Sequence, residues 1–334
     1  MLTYSVAMDD FVPRRGWRNP HLQTVRGRIR PSRVRLPRSE EVIVTLPDGS
    51  GDRLVVQVHE ADPSQPLVII VHGLGGTAES EYVRFTAAGL LAAGFPVARV
   101  DLRGAGVSGE VSAGNYHGGR TEDLRAVIDT LGRRSAVVGF SLGANATIKL
   151  LGENSPAVLA GVAVSAPLDL AVGAEHLHHI AGGWYEKFLL RRLRAESLRP
   201  AARYTPEERA AILSAKTIVD FDNAITAPRN GWRDAAEYYR VNSAIRYLDS
   251  VRQPLLIIHA KDDPMIPLGP YESVDWEAIP AVRLVLTDHG GHVGFHDRGE
   301  APWYVGTIIE FLRSSASPDP DAGGRSSNAG PPGR

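Results

Sequence analysis

The pentapeptide Gly139-Phe140-Ser141-Leu142-Gly143 sets one serine between glycines two positions away on each side. The run "AVVGF" leading into it reads as a buried strand and "ANATIKLL" after it as a helix, so Ser141 falls on the turn between them. On so sharp a turn, side chains two residues to either side would collide, and glycine removes the collision. The hydroxyl then stands above the sheet in front of the helix N-terminus. Unpaired amides and the positive end of the helix dipole favour a developing anion there. That is where a nucleophilic serine belongs, but a serine is weak until a base takes its proton and a carboxylate orients the base.

Two later loops offer those partners. "PLLIIHAKDDPMIP" carries Asp262 and Asp263, and "VRLVLTDHGGHVGF" carries His289 and His292. Each loop leaves an apolar run that reads as a sheet strand, so serine, carboxylate and histidine come in that chain order at carboxyl ends of strands, where open α/β sheets place their sites. Asp263 is the preferred acid. It stands four residues before Pro267 in a D-P-x-I-P loop that turns its side chain toward the next loop; Asp262 stays as the alternative. His292 is the preferred base, because Gly290 and Gly291 free its loop to carry the ring over the serine. His289, nearer the strand end, reads as an ordinary strand-end residue with a polar partner. "HGLGG" at His72–Gly76 follows an earlier strand and offers the Leu74 backbone amide as an oxyanion donor beside that of Leu142. Each such donor stabilises a transition state by about 3–4 kcal/mol.

These loops need a sheet to hold them. "EEVIVTLP" and "DRLVVQVHEA", joined by "DGSG", predict an antiparallel pair. After it, strands and helices alternate: "PLVIIVHGLGG", "SEYVRFTAAGLLAAG" closing on Gly94, "FPVARVDLRGAG", and "TEDLRAVIDTLGRR" with Thr121 as its cap and arginines in its last turn. "SAVVGFSLG", "ANATIKLLGEN", "LAGVAVSAP", "QPLLIIHAKDD", "VRLVLTDHGGH" and the closing helix "PWYVGTIIEFLR" complete the set. The pattern predicts an α/β fold, a mostly parallel sheet of about eight strands with helices on both faces. Between Pro167 and Pro254 the rhythm breaks for far longer than a crossover needs, which predicts a helical cap insertion over about 168–250 within one folding unit with the core. The domain reading is an N-terminal arm at 1–40 wrapping the core, an α/β domain at 41–314, and a disordered polar tail at 315–334.

Composition narrows the function classes. Of 334 residues, 43% are hydrophobic and 22% charged, enough for a large soluble core, and the net charge of −1 gives no reason to expect a nucleic-acid partner. The absence of cysteine excludes disulfides, thiolate metal sites and a cysteine nucleophile. Asp9 and Asp10 stand where a signal peptide needs an apolar run, so a cytoplasmic protein is expected. The Arg-rich stretch from 11 to 38 reads first as a surface arm and second as a peripheral contact with anionic membrane headgroups.

The segments "NPHLQT" (Asn19–Thr24), "HGLGG", "DLRGAGVSG" (Asp101–Gly109), "YHGGRTEDL" (Tyr116–Leu124), "GFSLGAN" (Gly139–Asn145), "VSAPLDL" (Val164–Leu170), "FDNAITAP" (Phe221–Pro228), "IHAKDDPMIP" (Ile258–Pro267) and "HGGHVGF" (His289–Phe295) resemble the YheT-like group of α/β-hydrolases, related to the eukaryotic ABHD1/ABHD3-type hydrolases. The resemblance spans about 13–313. It implies the α/β-hydrolase fold, a Ser141–Asp263–His292 triad and carboxylic-ester hydrolase activity. Ala144 departs from the pattern, where members often carry a further glycine, and its methyl is expected to narrow the site.

Other features carry less. His176, His178 and His179 lack the spacing of a helical zinc pair and read as a cap-helix surface. Trp184, Trp232, Tyr238 and Tyr239 suit equally an acyl pocket or the core of the cap. "DLRGAGVSGE" reads as a loop beside the site and not as a phosphate cradle. The expected function is a serine hydrolase acting on acyl esters, lipid esters included, of the short to medium chain length that the resemblance implies, through an acyl-enzyme and without a cofactor. An acyltransferase with the same triad and a non-catalytic binding protein are the alternatives.

Overall fold

A computed structural model of the protein describes residues 11–29 and 34–316. The polar tail from 317 on, the acids Asp9 and Asp10, and residues 30–33 of the Arg-rich stretch lie outside the described residues.

Among the described residues eight strands make one sheet: β1 (Glu40–Thr45), β2 (Arg53–His59), β3 (Leu67–Val71), β4 (Val97–Asp101), β5 (Ser135–Phe140), β6 (Val158–Val164), β7 (Leu255–Ala260) and β8 (Val282–Thr287). Their spatial order is β1-β2-β4-β3-β5-β6-β7-β8. β1 pairs antiparallel with β2 and β2 with β4, and every other pair is parallel.

Continuous apolar runs make the central strands, and the period of two sorts their side chains onto two faces. Leu67, Ile69 and Val71 of β3, Val137 of β5, and Leu255 and Ile257 of β7 point into one core. Val68, Ile70, Val138, Phe140, Leu256 and Ile258 point into the other. The helices are α1 (Pro20–Ile29), α2 (Glu81–Ala92), α3 (Ser108–Val111), α4 (Thr121–Leu131) and α5 (Leu142–Gly152). The cap holds α6 (Leu170–His179), α7 (Trp184–Ser197), α8 (Pro206–Ser214), α9 (Ile218–Phe221), α10 (Ala227–Arg229) and α11 (Ala235–Asn242). α12 (Gly269–Glu272) and α13 (Tyr304–Ala316) follow β7 and β8. α4 and α5 cover the first face, while α2 and α13 cover the second. Leu189, Leu193, Ile212 and Phe221 of the cap belong to the same apolar cluster as β3 and β5, so cap and sheet share one core.

Two local details differ from the sequence expectation. Thr121 does not cap α4: its hydroxyl donates to Glu153 Oε2 at 2.6 Å, drawn away by a carboxylate from the neighbouring helix. Arg133 and Arg134 lie beyond α4, which stops at Leu131 because Gly132 turns left-handed at φ 60°. No helix of the described residues is long and apolar enough to cross a membrane.

Candidate active site

The loops at the carboxyl ends of β3, β5, β7 and β8 meet at one rim of the sheet. Ser141 follows β5 with φ 53° and ψ −119°, a conformation that costs a non-glycine residue roughly 1–3 kcal/mol. Its surroundings hold it there. Ser141 N donates to Val164 O at 2.9 Å, and its carbonyl accepts from Ala144 N and Asn145 N. The flanking glycines are required: a Cβ on Gly139 would sit 2.3 Å from Gly143 O and Thr147 Oγ1, and one on Gly143 would sit 2.5 Å from His72 O.

His292 Nε2 lies 2.9 Å from Ser141 Oγ, and its Nδ1 lies 2.9 Å from Asp263 Oδ2. Asp263 is buried, and its other oxygen accepts from Met265 N at 2.8 Å and Ile266 N at 3.0 Å. Burial alone would raise its pKa. The charge and hydrogen bond of His292, the nearby His259 and the Met265 amide outweigh that and hold the carboxyl below its usual range. An ionised carboxylate only accepts, so Nδ1 of His292 carries the proton, and Nε2 is left as the acceptor for the serine hydroxyl. Asp262 and His289, the alternatives in the sequence, pair with each other instead: Asp262 Oδ2 lies 3.1 Å from His289 Nδ1, and its Oδ1 accepts from Gly291 N at 2.9 Å.

The amides of Leu74 and Leu142 donate to no acceptor among the described residues, and both residues line the cavity in which Ser141 and His292 sit. A Cβ on Gly73 would lie 2.8 Å from that of Ser141, which fixes how closely the β3 loop approaches the serine.

Sequence reasoning missed the role of α1. Asn19 Oδ1 caps the helix by accepting from His21 N at 2.9 Å, and Pro20 takes the first-turn position where its missing N–H is not needed. One turn on, Thr24 Oγ1 accepts from His292 N at 2.9 Å while donating to Pro20 O. Gln23 bridges to both backbone groups of His296. The histidine loop packs so tightly on this helix that a Cβ on Gly291, at φ 59°, would sit 2.4 Å from Pro20 O. Gly291 therefore serves close approach more than loop freedom. The signal was present in "NPHLQT", a cap-and-proline helix start, but its target lies 268 residues away.

The cavity has a volume of about 850 Å³. Leu170, Ala174, Leu177, Phe188, Leu189 and Met265 give it an apolar wall. Trp184, Tyr238 and Tyr239 also line it, whereas Trp232 stacks behind Tyr238 at 5.0 Å. The expectation for Ala144 is corrected: its methyl is fully buried among the apolar side chains of the first core and is not part of the cavity lining. His176 Nε2 lies 3.2 Å from Pro264 O and His178 Nδ1 lies 2.8 Å from Glu186, so two of the three cap histidines have protein partners of their own. In "DLRGAGVSGE", Asp101 accepts from Ala78 N and Val107 N, and Arg103 joins an ion network.

A family model for the α/β-hydrolase fold matches residues 66–299. The chain is 35% identical to a putative esterase, YheT, of Escherichia coli over 86% of this chain and 87% of the other. It is 30% identical to a monoacylglycerol lipase of Saccharomyces cerevisiae, over 76% of this chain and 60% of that one. An esterase structure from Pyrococcus furiosus superposes with a TM-score of 0.59 at 22% identity, covering 83% and 91% of the two chains. With that match and those relatives, the chain belongs to the α/β-hydrolase family, in its YheT-like group.

Proposed function

We propose that the protein is a serine hydrolase that cleaves carboxylic esters of short- to medium-chain acyl groups. Ser141 Oγ attacks the acyl carbon as His292 Nε2 takes its proton. The amides of Leu74 and Leu142 hold the resulting oxyanion, and the collapse of the tetrahedral species expels the alcohol, which leaves with the proton from His292. Water then attacks the acyl-Ser141 ester, giving one proton to His292, and the acid departs as Ser141 recovers that proton. Asp263 keeps the ring in the productive tautomer and stabilises its positive charge. The cavity's aliphatic wall suits an acyl chain, each buried methylene of which contributes about 0.8 kcal/mol.

The observation that carries this reading is the unbroken chain of two 2.9 Å contacts from Ser141 through His292 to Asp263 at the wall of an apolar cavity. The names of the bacterial and yeast relatives, an esterase and a lipase, point the same way. A panel of p-nitrophenyl esters of increasing chain length, run beside Ser141→Ala, tests it. Turnover by the wild type that passes through a maximum at short to medium chains and vanishes in the variant is expected. Equal activity of the two proteins would sink the proposal. Adding methanol separates hydrolysis from transfer, since a transferase would convert most of the acyl group into the methyl ester.

A further inference from the structure

In the β3 loop from 73 to 76 every backbone N–H but one has an acceptor among the described residues. Gly73 N donates to Tyr82 Oη at 3.0 Å, and Gly75 N donates to Tyr116 Oη at 2.6 Å. Gly76 N donates to Gly73 O at 3.0 Å. The same carbonyl lies 2.8 Å from Nδ1 of buried His72, whose Nε2 accepts from Leu102 N at 3.1 Å, so Nδ1 is the protonated nitrogen and donates to Gly73 O. Between two amides each clamped by a tyrosine, the Leu74 amide alone in 73–76 has no acceptor among the described residues.

We propose that Tyr82 and Tyr116 are positioning residues of the oxyanion hole, holding the His72–Gly73 and Leu74–Gly75 peptide planes that flank the Gly73–Leu74 plane, so that the Leu74 N–H in it faces the reacting carbonyl. The inference rests on the oxyanion role proposed above for Leu74. Neither tyrosine need touch the reacting atoms. A backbone amide that must point at a charge developing beside Ser141 has no side chain of its own to steer it. In a loop of four residues with three glycines the local bonds are those of Gly76 N and His72 Nδ1 to the Gly73 carbonyl, which leave the two flanking planes to be fixed from outside. The two rings come from separate directions. Tyr82 stands in the first turn of α2, tilted against Phe140 at 4.9 Å, one residue before the serine. Tyr116 stands in the loop after α3, edge-on to His72 at 5.6 Å. Both hydroxyls are neutral, burial being the first cause that raises each pKa, so each can accept an amide hydrogen and still donate its own. Tyr116 passes its hydrogen to Glu196 of α7 at 3.3 Å. Arg192 of the same helix packs so close that a Cβ on Gly75, at φ 66°, would sit 2.8 Å from its Cβ. The cap therefore presses on the loop whose amide is being aimed.

The test is Tyr82→Phe and Tyr116→Phe, each kept only if its melting temperature and far-ultraviolet spectrum show a folded protein. Each is measured for kcat and KM on p-nitrophenyl butyrate and for inhibition by an alkyl trifluoromethyl ketone, which adds to a nucleophilic serine and leaves an oxyanion. The expected result is a kcat lower by roughly ten- to a hundredfold with KM changed less than threefold, and a matching loss of affinity for the ketone. Unchanged kcat and ketone affinity in folded variants would overturn the inference. If a phenylalanine variant does not fold, 3,5-difluorotyrosine at the same position keeps the ring and weakens the hydroxyl as an acceptor; a kcat drop of about two- to fivefold is expected and no drop overturns it. A crystal structure of the wild-type ketone adduct separates the two layers of the argument. An adduct oxygen beyond hydrogen-bond reach of Leu74 N refutes the oxyanion reading itself. An oxygen within reach, with tyrosine variants of full activity, refutes only the positioning role.

Discussion

Two of the charged assemblies among the described residues are finished differently. Arg103 donates from Nε and Nη2 to both oxygens of Asp123 at 3.0 and 2.6 Å, and its Nη1 lies 2.7 Å from Asp48 and 3.3 Å from Asp52. Asp52 in turn accepts from Ala113 N and Gly114 N. Those bonds tie the β1–β2 turn, the loop after β4 and α4 into one closed set. The Asp263–His292–Ser141 chain is just as well supported at its buried end, where Met265 N and Ile266 N hold the carboxylate, yet it ends in a hydroxyl at the cavity wall beside two amides without acceptors. A buried polar group left without a partner costs about 1–3 kcal/mol, so open ends gathered in one place are where binding or chemistry should be sought. The closed set reads as architecture.

If that contrast holds, damage to the two assemblies should separate cleanly into lost turnover and lost stability. The largest effect is expected from Ser141→Ala, a drop in kcat of about 10⁵-fold or more with the melting temperature little changed, because the one partner it frees, His292 Nε2, faces the cavity where water can reach it. Asp263→Asn comes next: kcat should fall about 10⁴-fold, since an amide can hold the wrong tautomer of His292. Steady-state kinetics on a p-nitrophenyl ester read both. Asp123→Ala should do the reverse, removing about 3–5 kcal/mol of stability in urea titrations by stripping the bidentate partner from buried Arg103, while kcat per folded molecule stays within a few-fold.

A pH prediction sharpens the same comparison, because His259 sits directly behind the relay, fully buried, 3.9 Å from Asp263 and stacked on Tyr271 at 4.0 Å. Burial above all, opposed by the Asp263 charge, brings its pKa down from 6.5 to about 4. The fold thus prefers the neutral ring. The stability this gives is complete above about pH 6.5, and acidification removes about 3 kcal/mol of it by pH 4 as the unfolded chain takes up the proton first. Urea midpoints at pH 7 and pH 4.5 should differ accordingly in the wild type and less in His259→Phe; equal slopes in both would assign the acid sensitivity elsewhere. The smallest effect is expected from Thr24→Val, which removes the acceptor of His292 N without touching the relay: a three- to tenfold loss of kcat, with stability reduced by about 1 kcal/mol.

How far the sequence reaches follows the same division. Strand–turn patterns place Ser141, Asp263 and His292 at carboxyl ends of strands, because β5, β7 and β8 are largely apolar and each residue lies in the loop or turn that follows its strand. The eight-stranded, mostly parallel sheet is legible for the same reason. What it does not yield are partners distant along the chain. Thr24 beneath His292, Tyr82 and Tyr116 beside Leu74, and the pairing of Asp262 with His289 depend on where whole helices land. Nor does a propensity rule foresee that Thr121 prefers Glu153 to its own helix, or that Ala144 turns inward.

The central claim concerns one oxygen, and intact-mass and peptide mass spectrometry after treatment with a fluorophosphonate address it most directly. The account predicts a single adduct, located on Ser141, that forms quickly in the wild type, slowly in Asp263→Asn and not at all in Ser141→Ala. Folded wild-type protein that stays unlabelled, or that carries the adduct on another residue, would contradict it.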